Sequence, residues 1–216
     1  MWSSPRSSPK RWPTGLSAAK RRRNRPSDRP RGAVIIAVAG PIGVGKTTVA
    51  RALAGRLGYR FLSAGEAFRE MARQRGITVL ELNRLAEQDP VVDREVDEMQ
   101  ANLARAGACV VESRLAGWMV DADLKVWLRA DAAVRAGRVA RREGIPVAVA
   151  ERDLREREAS EWQRYRTLYG IDINDLSPYH FVLDTGFWTA EDVVDAIALL
   201  AERMQVGAPA SREEGR

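Results

Sequence analysis

Gly40-Pro-Ile-Gly-Val-Gly-Lys-Thr47 matches the pattern G-x-x-x-x-G-K-[ST] at every fixed position. Each fixed residue type answers a need of phosphate binding. Glycines let successive backbone N–H groups turn onto an anion with no Cβ in the way. A helix opening at Lys46 adds the positive end of its dipole. Lys46 brings a mobile charge to the β- and γ-phosphates of a nucleotide, and Thr47 offers Mg²⁺ a hydroxyl. The candidate ATP-binding residues here are Gly40, Pro41, Ile42, Gly43, Val44, Gly45, Lys46, Thr47 and Thr48. Such a loop does not by itself separate an ATPase, a GTPase and a kinase.

The arginines narrow the choice. Glu112 ends an apolar run, which puts its carboxylate at the edge of a sheet where α/β proteins bind ligands, able to hold Mg²⁺ through water. Arg114 follows two residues later. Ser63-Ala-Gly65 follows another apolar run, and Arg69, one to two helical turns on, can reach back to the same cleft. A charged stretch further along carries Arg138, Arg141, Arg142, Arg157 and Arg164. Phosphoryl transfer needs several cations around spread anionic charge. Arg157, Glu161 and Arg164 are spaced by four and three residues, so they share one helix face. No general base is required if the acceptor is a nucleoside monophosphate, whose phosphate is already an anion at neutral pH. The single histidine, His180, is therefore read as structural.

The elements that must position these residues are legible as five short apolar runs at 33–39, 59–62, 108–112, 123–128 and 180–183, with helical patterns between them. This alternation predicts an α/β P-loop kinase fold, a five-stranded parallel sheet covered by helices. Two insertions interrupt it. Residues 63–106 read as helices broken at Gly76 and at Asp89-Pro90. Residues 135–178 are dense in charge, with few apolar positions to dock them, and are expected to form a mobile lid. The last helix should open on the capping box Thr189-Ala-Glu-Asp192. It then lays Val193, Val194, Ile197, Leu200, Ala201 and Met204 on one face.

The net charge of +6 is unevenly held. Residues 1–32 carry ten Lys/Arg against one acid, Asp28, a net +9, so the remainder carries −3. That basic, Pro/Ser-rich tail and residues 206–216 are expected to be disordered, leaving 33–205 as the folded domain. A lone Cys109 gives no disulfide framework and fits a reducing cytoplasm. No apolar run is long enough to span a bilayer.

From about residue 33 to 203 the chain resembles the archaeal-type cytidylate kinases of the nucleoside monophosphate kinase superfamily. The resemblance is carried by the phosphate loop, Ser63-Ala-Gly-Glu-Ala-Phe-Arg-Glu70, Asp93-Arg-Glu-Val-Asp97 and Arg114-Leu-Ala-Gly-Trp118. It continues through Arg141-Arg-Glu-Gly-Ile145, Arg157-Glu-Ala-Ser-Glu-Trp-Gln-Arg-Tyr165 and Tyr169-Gly-Ile-Asp172. It implies a core with a monophosphate-binding insertion and a lid, and transfer of the γ-phosphate of Mg-ATP to CMP or dCMP. Arg69, Arg114, Arg157 and Arg164 would hold acceptor or transferring phosphates, with Ser63 and Gly65 on the acceptor side. Arg138 would stack on adenine and Arg142 reach phosphate. Glu161 would meet the acceptor ribose, and Asp93 and Arg94 would read cytosine. One departure is Ser113, where the family usually has glycine. The expected enzyme is a cytoplasmic monomer with no membrane and no specific nucleic-acid partner. The alternatives are an adenylate kinase or other small P-loop kinase, and an RNA-associated ATPase anchored by the basic tail.

Overall fold

The computed structural model describes residues 34–89, 91–94, 104 and 107–206. Strand β1 (Ile35–Ala39) is a run of five apolar residues, all buried. Such a run fits the middle of a sheet covered on both faces. It lies between β3 (Cys109–Glu112) and β4 (Leu124–Arg129), with β2 (Arg60–Ser63) and β5 (Phe181–Asp184) outside them. All four pairings are parallel. The five expected runs coincide with these strands to within two residues. The register sets Ser63 and Val38 on either side of Glu112, so three strand ends share one edge of the sheet.

The period of two along β1 divides the core. Ile36 and Val38 face α1 (Lys46–Leu57) and the last helix, α7 (Ala190–Val206), packing with Val49, Leu53, Val193 and Ile197. Ile35, Ala37 and Ala39 face Val111, Trp127 and Tyr179. The predicted capping box opens α7: Asp192 N–H donates to Thr189 Oγ1 at 3.1 Å, and Thr189 N–H to Asp192 Oδ2 at 3.0 Å.

The first insertion folds as α2 (Ala64–Gln74) and α3 (Val79–Gln88), broken at Gly76 and again at Asp89 as expected; residues 91–94 are helical. Ala72, Leu82, Ala86 and Val92 give it a small core of its own. A short helix, α4 (Ala116–Met119), follows β3. The second insertion contains α5 (Ala132–Glu143, which begins just ahead of it) and α6 (Val147–Tyr169), turning at Gly144.

That hairpin is seated more firmly than its charge density suggests. Ala136, Val139 and Ala140 of α5 and Ala150 and Leu154 of α6 form narrow facing stripes that close over Ile42 of the phosphate loop. The stripes are mostly alanine, so they add little to the hydropathy of a charge-rich segment. The tails expected to be disordered, 1–32 and 206–216, lie outside the described residues, apart from Val206, which ends α7.

Candidate active site

The phosphate loop runs from the end of β1 into α1 and is wedged between β4 and α5. A Cβ on Gly40 would meet the Leu128 carbonyl oxygen at 2.3 Å, and one on Gly43 the Arg135 carbonyl oxygen at 2.8 Å. Both glycines also have positive φ, 148° and 78°. Glycine is thus required at each by space as well as by conformation. The loop forms one wall of a cleft of about 660 Å³, a size that suits small-molecule ligands. Ser63 ends β2 and Gly65 opens the helix after it, beside the end of β3.

Lys46 Nζ donates to the Pro41 carbonyl at 3.0 Å and lies 3.9 Å from Glu112 Oε1. Burial pulls its ammonium from the ordinary 10.5 down to about 8, against the opposing pull of Glu112. Glu112 is itself buried. It accepts from Thr47 Oγ1 at 3.3 Å and from Ser63 Oγ, whose oxygen also caps α2 by accepting from Glu66 N–H. A carboxylate and a hydroxyl side by side, with a cation beyond, form a hard-oxygen donor set of the kind that suits Mg²⁺ carried in on phosphates. Ser113, the departure from the family pattern, extends the sheet ladder by donating its N–H to Val38 O at 3.3 Å.

Across the cleft stand Arg69, Arg114, Arg157 and Arg164. Arg69 folds back over Gly65, where a Cβ would meet its Nη1 at 3.3 Å. Arg114 donates to Glu161 Oε2 at 2.5 Å and to the Gly40 carbonyl at 3.0 Å, which ties α6 to the phosphate loop. Arg157 lines the cleft, and its buried Nε has no hydrogen-bond partner among the described residues. An unpaired buried donor of this kind is costly unless a ligand satisfies it.

Arg164 is more heavily committed. It donates to Asp93 Oδ2 at 2.7 Å, Ser160 Oγ at 2.6 Å and Asn83 Oδ1 at 3.2 Å. Both members of the Arg164–Asp93 pair are buried and line the cleft, so the ion pair joins the first insertion to α6. Burial pushes the Asp93 carboxyl up, with Arg164 opposing the shift. Arg94, by contrast, is exposed and outside the cleft wall.

On the other side, Arg138 donates to Val44 O at 3.1 Å and to the Thr185 carbonyl at 2.6 Å, and Arg142 lines the cleft one turn later. Arg141 is exposed and outside the cleft wall.

Sequence reasoning missed Thr185, Arg135 and Glu158. Thr185 Oγ1 donates to Val44 O at 2.7 Å, and its place just beyond the end of β5, at the ligand edge, is a signal that could have found it. Arg135 and Glu158 are two among many charges on amphipathic helices, and only the fold distinguishes them.

The model of the cytidylate kinase-like family matches residues 35–186. Among curated proteins, the cytidylate kinase of Pyrococcus furiosus is 46% identical over 187 residues, covering 86% of this chain and 97% of the relative. That of Pyrococcus abyssi is 49% identical over 165 residues, covering 76% and 91%. A solved shikimate kinase from Acinetobacter baumannii shares the fold with a TM-score of 0.53 at 21% identity, over 82% of this chain and 97% of that one. A gluconokinase from Sinorhizobium meliloti does so with a TM-score of 0.52 at 18% identity, over 82% and 96%.

Proposed function

The chain belongs to the cytidylate kinase-like family, and from that premise we infer that it transfers the γ-phosphate of ATP to CMP or dCMP, giving ADP and CDP or dCDP. The observation that carries the reading is a phosphate loop and the arginines Arg69, Arg114, Arg157 and Arg164 facing one another across a cleft. The adenylate kinase and RNA-associated ATPase alternatives are not favoured by relatives of 46% and 49% identity that are cytidylate kinases.

In this mechanism the residues position and neutralise rather than exchange protons. The loop and Lys46 hold the ATP phosphates, with Thr48 at the start of α1. Arg138 stacks on the base and Arg142 reaches the phosphates. Arg69, Arg114 and Arg157 take the acceptor and transferring phosphates, and the orphan Nε of Arg157 gains its partner there. Glu161, oriented by Arg114, meets the acceptor ribose. Thr47 and Glu112, the latter through water, would hold Mg²⁺, which supplies charge neutralisation on the phosphates when bound. The pairing of Arg164 with Asp93 moves Arg164 from the phosphate to the base. Asp93 accepts from the cytosine amino group and Arg164 donates to N3 and O2, in place of the exposed Arg94. Residues 63–106 form the monophosphate-binding insertion and 135–178 the lid. The corresponding setting is a cytoplasmic monomer acting on free nucleotides. Among the described residues, no helix is long and apolar enough to cross a membrane.

ADP release from Mg-ATP tests the reading. It should depend on added CMP, and ATP hydrolysis that proceeds equally without an acceptor would contradict it. The depressed Lys46 makes a second prediction. Below about pH 8 the free lysine is already protonated and binds phosphate as it stands. Above that, binding must first restore the proton, so nucleotide affinity falls as pH rises. Calorimetric titration of ADP near pH 8.5, in buffers of different ionisation enthalpy, should show net proton uptake, and little uptake near pH 6.5. Lys46→Met should remove the uptake; uptake that persists in this variant would assign it to another group.

A further inference from the structure

Ile42 has both of its peptide polar groups held from outside the cleft. Its N–H donates to Glu158 Oε1 at 3.2 Å, and its carbonyl accepts from Arg135 Nη1 at 2.9 Å. The two side chains are themselves paired: Arg135 Nη1 also donates to Glu158 Oε1 at 2.5 Å, and Arg135 Nε anchors on the Ala130 carbonyl at 3.1 Å. Arg135 is buried, and its own carbonyl is the group pressed against Gly43. The Ile42 side chain sits between the alanine stripes of α5 and α6. Glu158 is not part of the cleft wall, although Arg157 and Glu161 on the same helix are. The ion pair therefore touches the loop at one residue, through the two peptide units that flank Ile42, from behind, and leaves the cleft to the ligand.

We propose that Arg135 and Glu158 are positioning residues for the phosphate donor: a bracket that turns the Ile42 peptide away from the cleft and sets the phosphate loop by the seat of the lid hairpin. A loop displaced by about 1 Å loses on the order of 10²-fold in transfer without any change in the groups that touch substrate.

The proposal rests on reading the loop as the ATP site, so wild-type CMP-dependent turnover is the control, and its absence would sink that parent reading instead. Four variants are compared: Glu158→Ala, Glu158→Gln, Arg135→Ala, and the double Arg135→Ala/Glu158→Ala. The readouts are kcat/KM for ATP, Kd for ADP and for CMP each measured alone, and Tm. Glu158→Ala should lower kcat/KM for ATP roughly 10- to 100-fold and weaken ADP, while CMP affinity moves less than about twofold. Glu158→Gln keeps an acceptor for Ile42 N–H and the side-chain volume, so it should fold as wild type and recover most of the loss. The double variant should be no worse on ATP than the poorer single. ATP parameters within twofold of wild type in Glu158→Ala would overturn the proposal. So would CMP and ADP affinities that fall in parallel with Tm, or a glutamine no better than alanine.

Discussion

Lys46→Met is expected to cut turnover roughly 10²- to 10³-fold while leaving the fold intact, the loss typical of removing one aimed donor from a dry site. Methionine keeps the length of the stem and its packing. What disappears is a charge set between the Pro41 carbonyl and Glu112, where burial already strains the ammonium. Because that strain is relieved only when phosphate arrives, the variant should be no less stable than wild type in the absence of nucleotide. The checks are steady-state turnover at saturating ATP and CMP, and thermal melts with and without ADP. Near-normal turnover in a folded variant would remove the phosphate loop from the mechanism.

The centre of the sheet was legible because a parallel strand covered on both faces is a short apolar run with no polar face to confuse the pattern. β1, with every residue buried, is the clearest example. The phosphate loop was legible because its two fixed glycines are required, Gly40 by Leu128 pressing on the backbone and Gly45 by a φ of 99°, constraints that leave a fixed spacing. The pairing of side chains was not. Arg94 adjoins Asp93 in sequence, but the guanidinium that reaches Asp93 is Arg164, 71 residues away. Helix spacing placed Arg157, Glu161 and Arg164 on one face and could say nothing of what that face meets. The seat of the lid was hidden for a related reason: an alanine stripe only two or three residues wide docks α5 and α6 on Ile42. The Arg135–Glu158 bracket involves a backbone peptide, which has no sequence signature at all.

Discrimination between acceptor bases should be as large an effect as the loss of Lys46. The arginines that meet phosphate cannot tell one nucleotide from another, so selectivity falls to the groups around the ring. CMP offers an amino donor at N4 with acceptors at N3 and O2, which complements a carboxylate beside a guanidinium. UMP reverses N4 and N3, so the Asp93 carboxylate would face a carbonyl oxygen and the Arg164 fork an N–H. Two mispaired buried groups at about 1–3 kcal/mol each make UMP about 10²-fold poorer or worse. Asp93 and Arg164 are held as a buried pair, so neither can readily turn away to spare the mismatch. AMP and GMP add a second ring to the same space. Asp93→Asn tests the assignment from the protein side, since its amide can offer a donor to the O4 of UMP; it should narrow the CMP-over-UMP ratio. The most direct measurement is kcat/KM for CMP, dCMP, UMP, AMP and GMP at fixed, saturating Mg-ATP. CMP and dCMP should lead, with UMP well behind and AMP and GMP near background; AMP outrunning CMP would contradict the assignment of a cytosine acceptor.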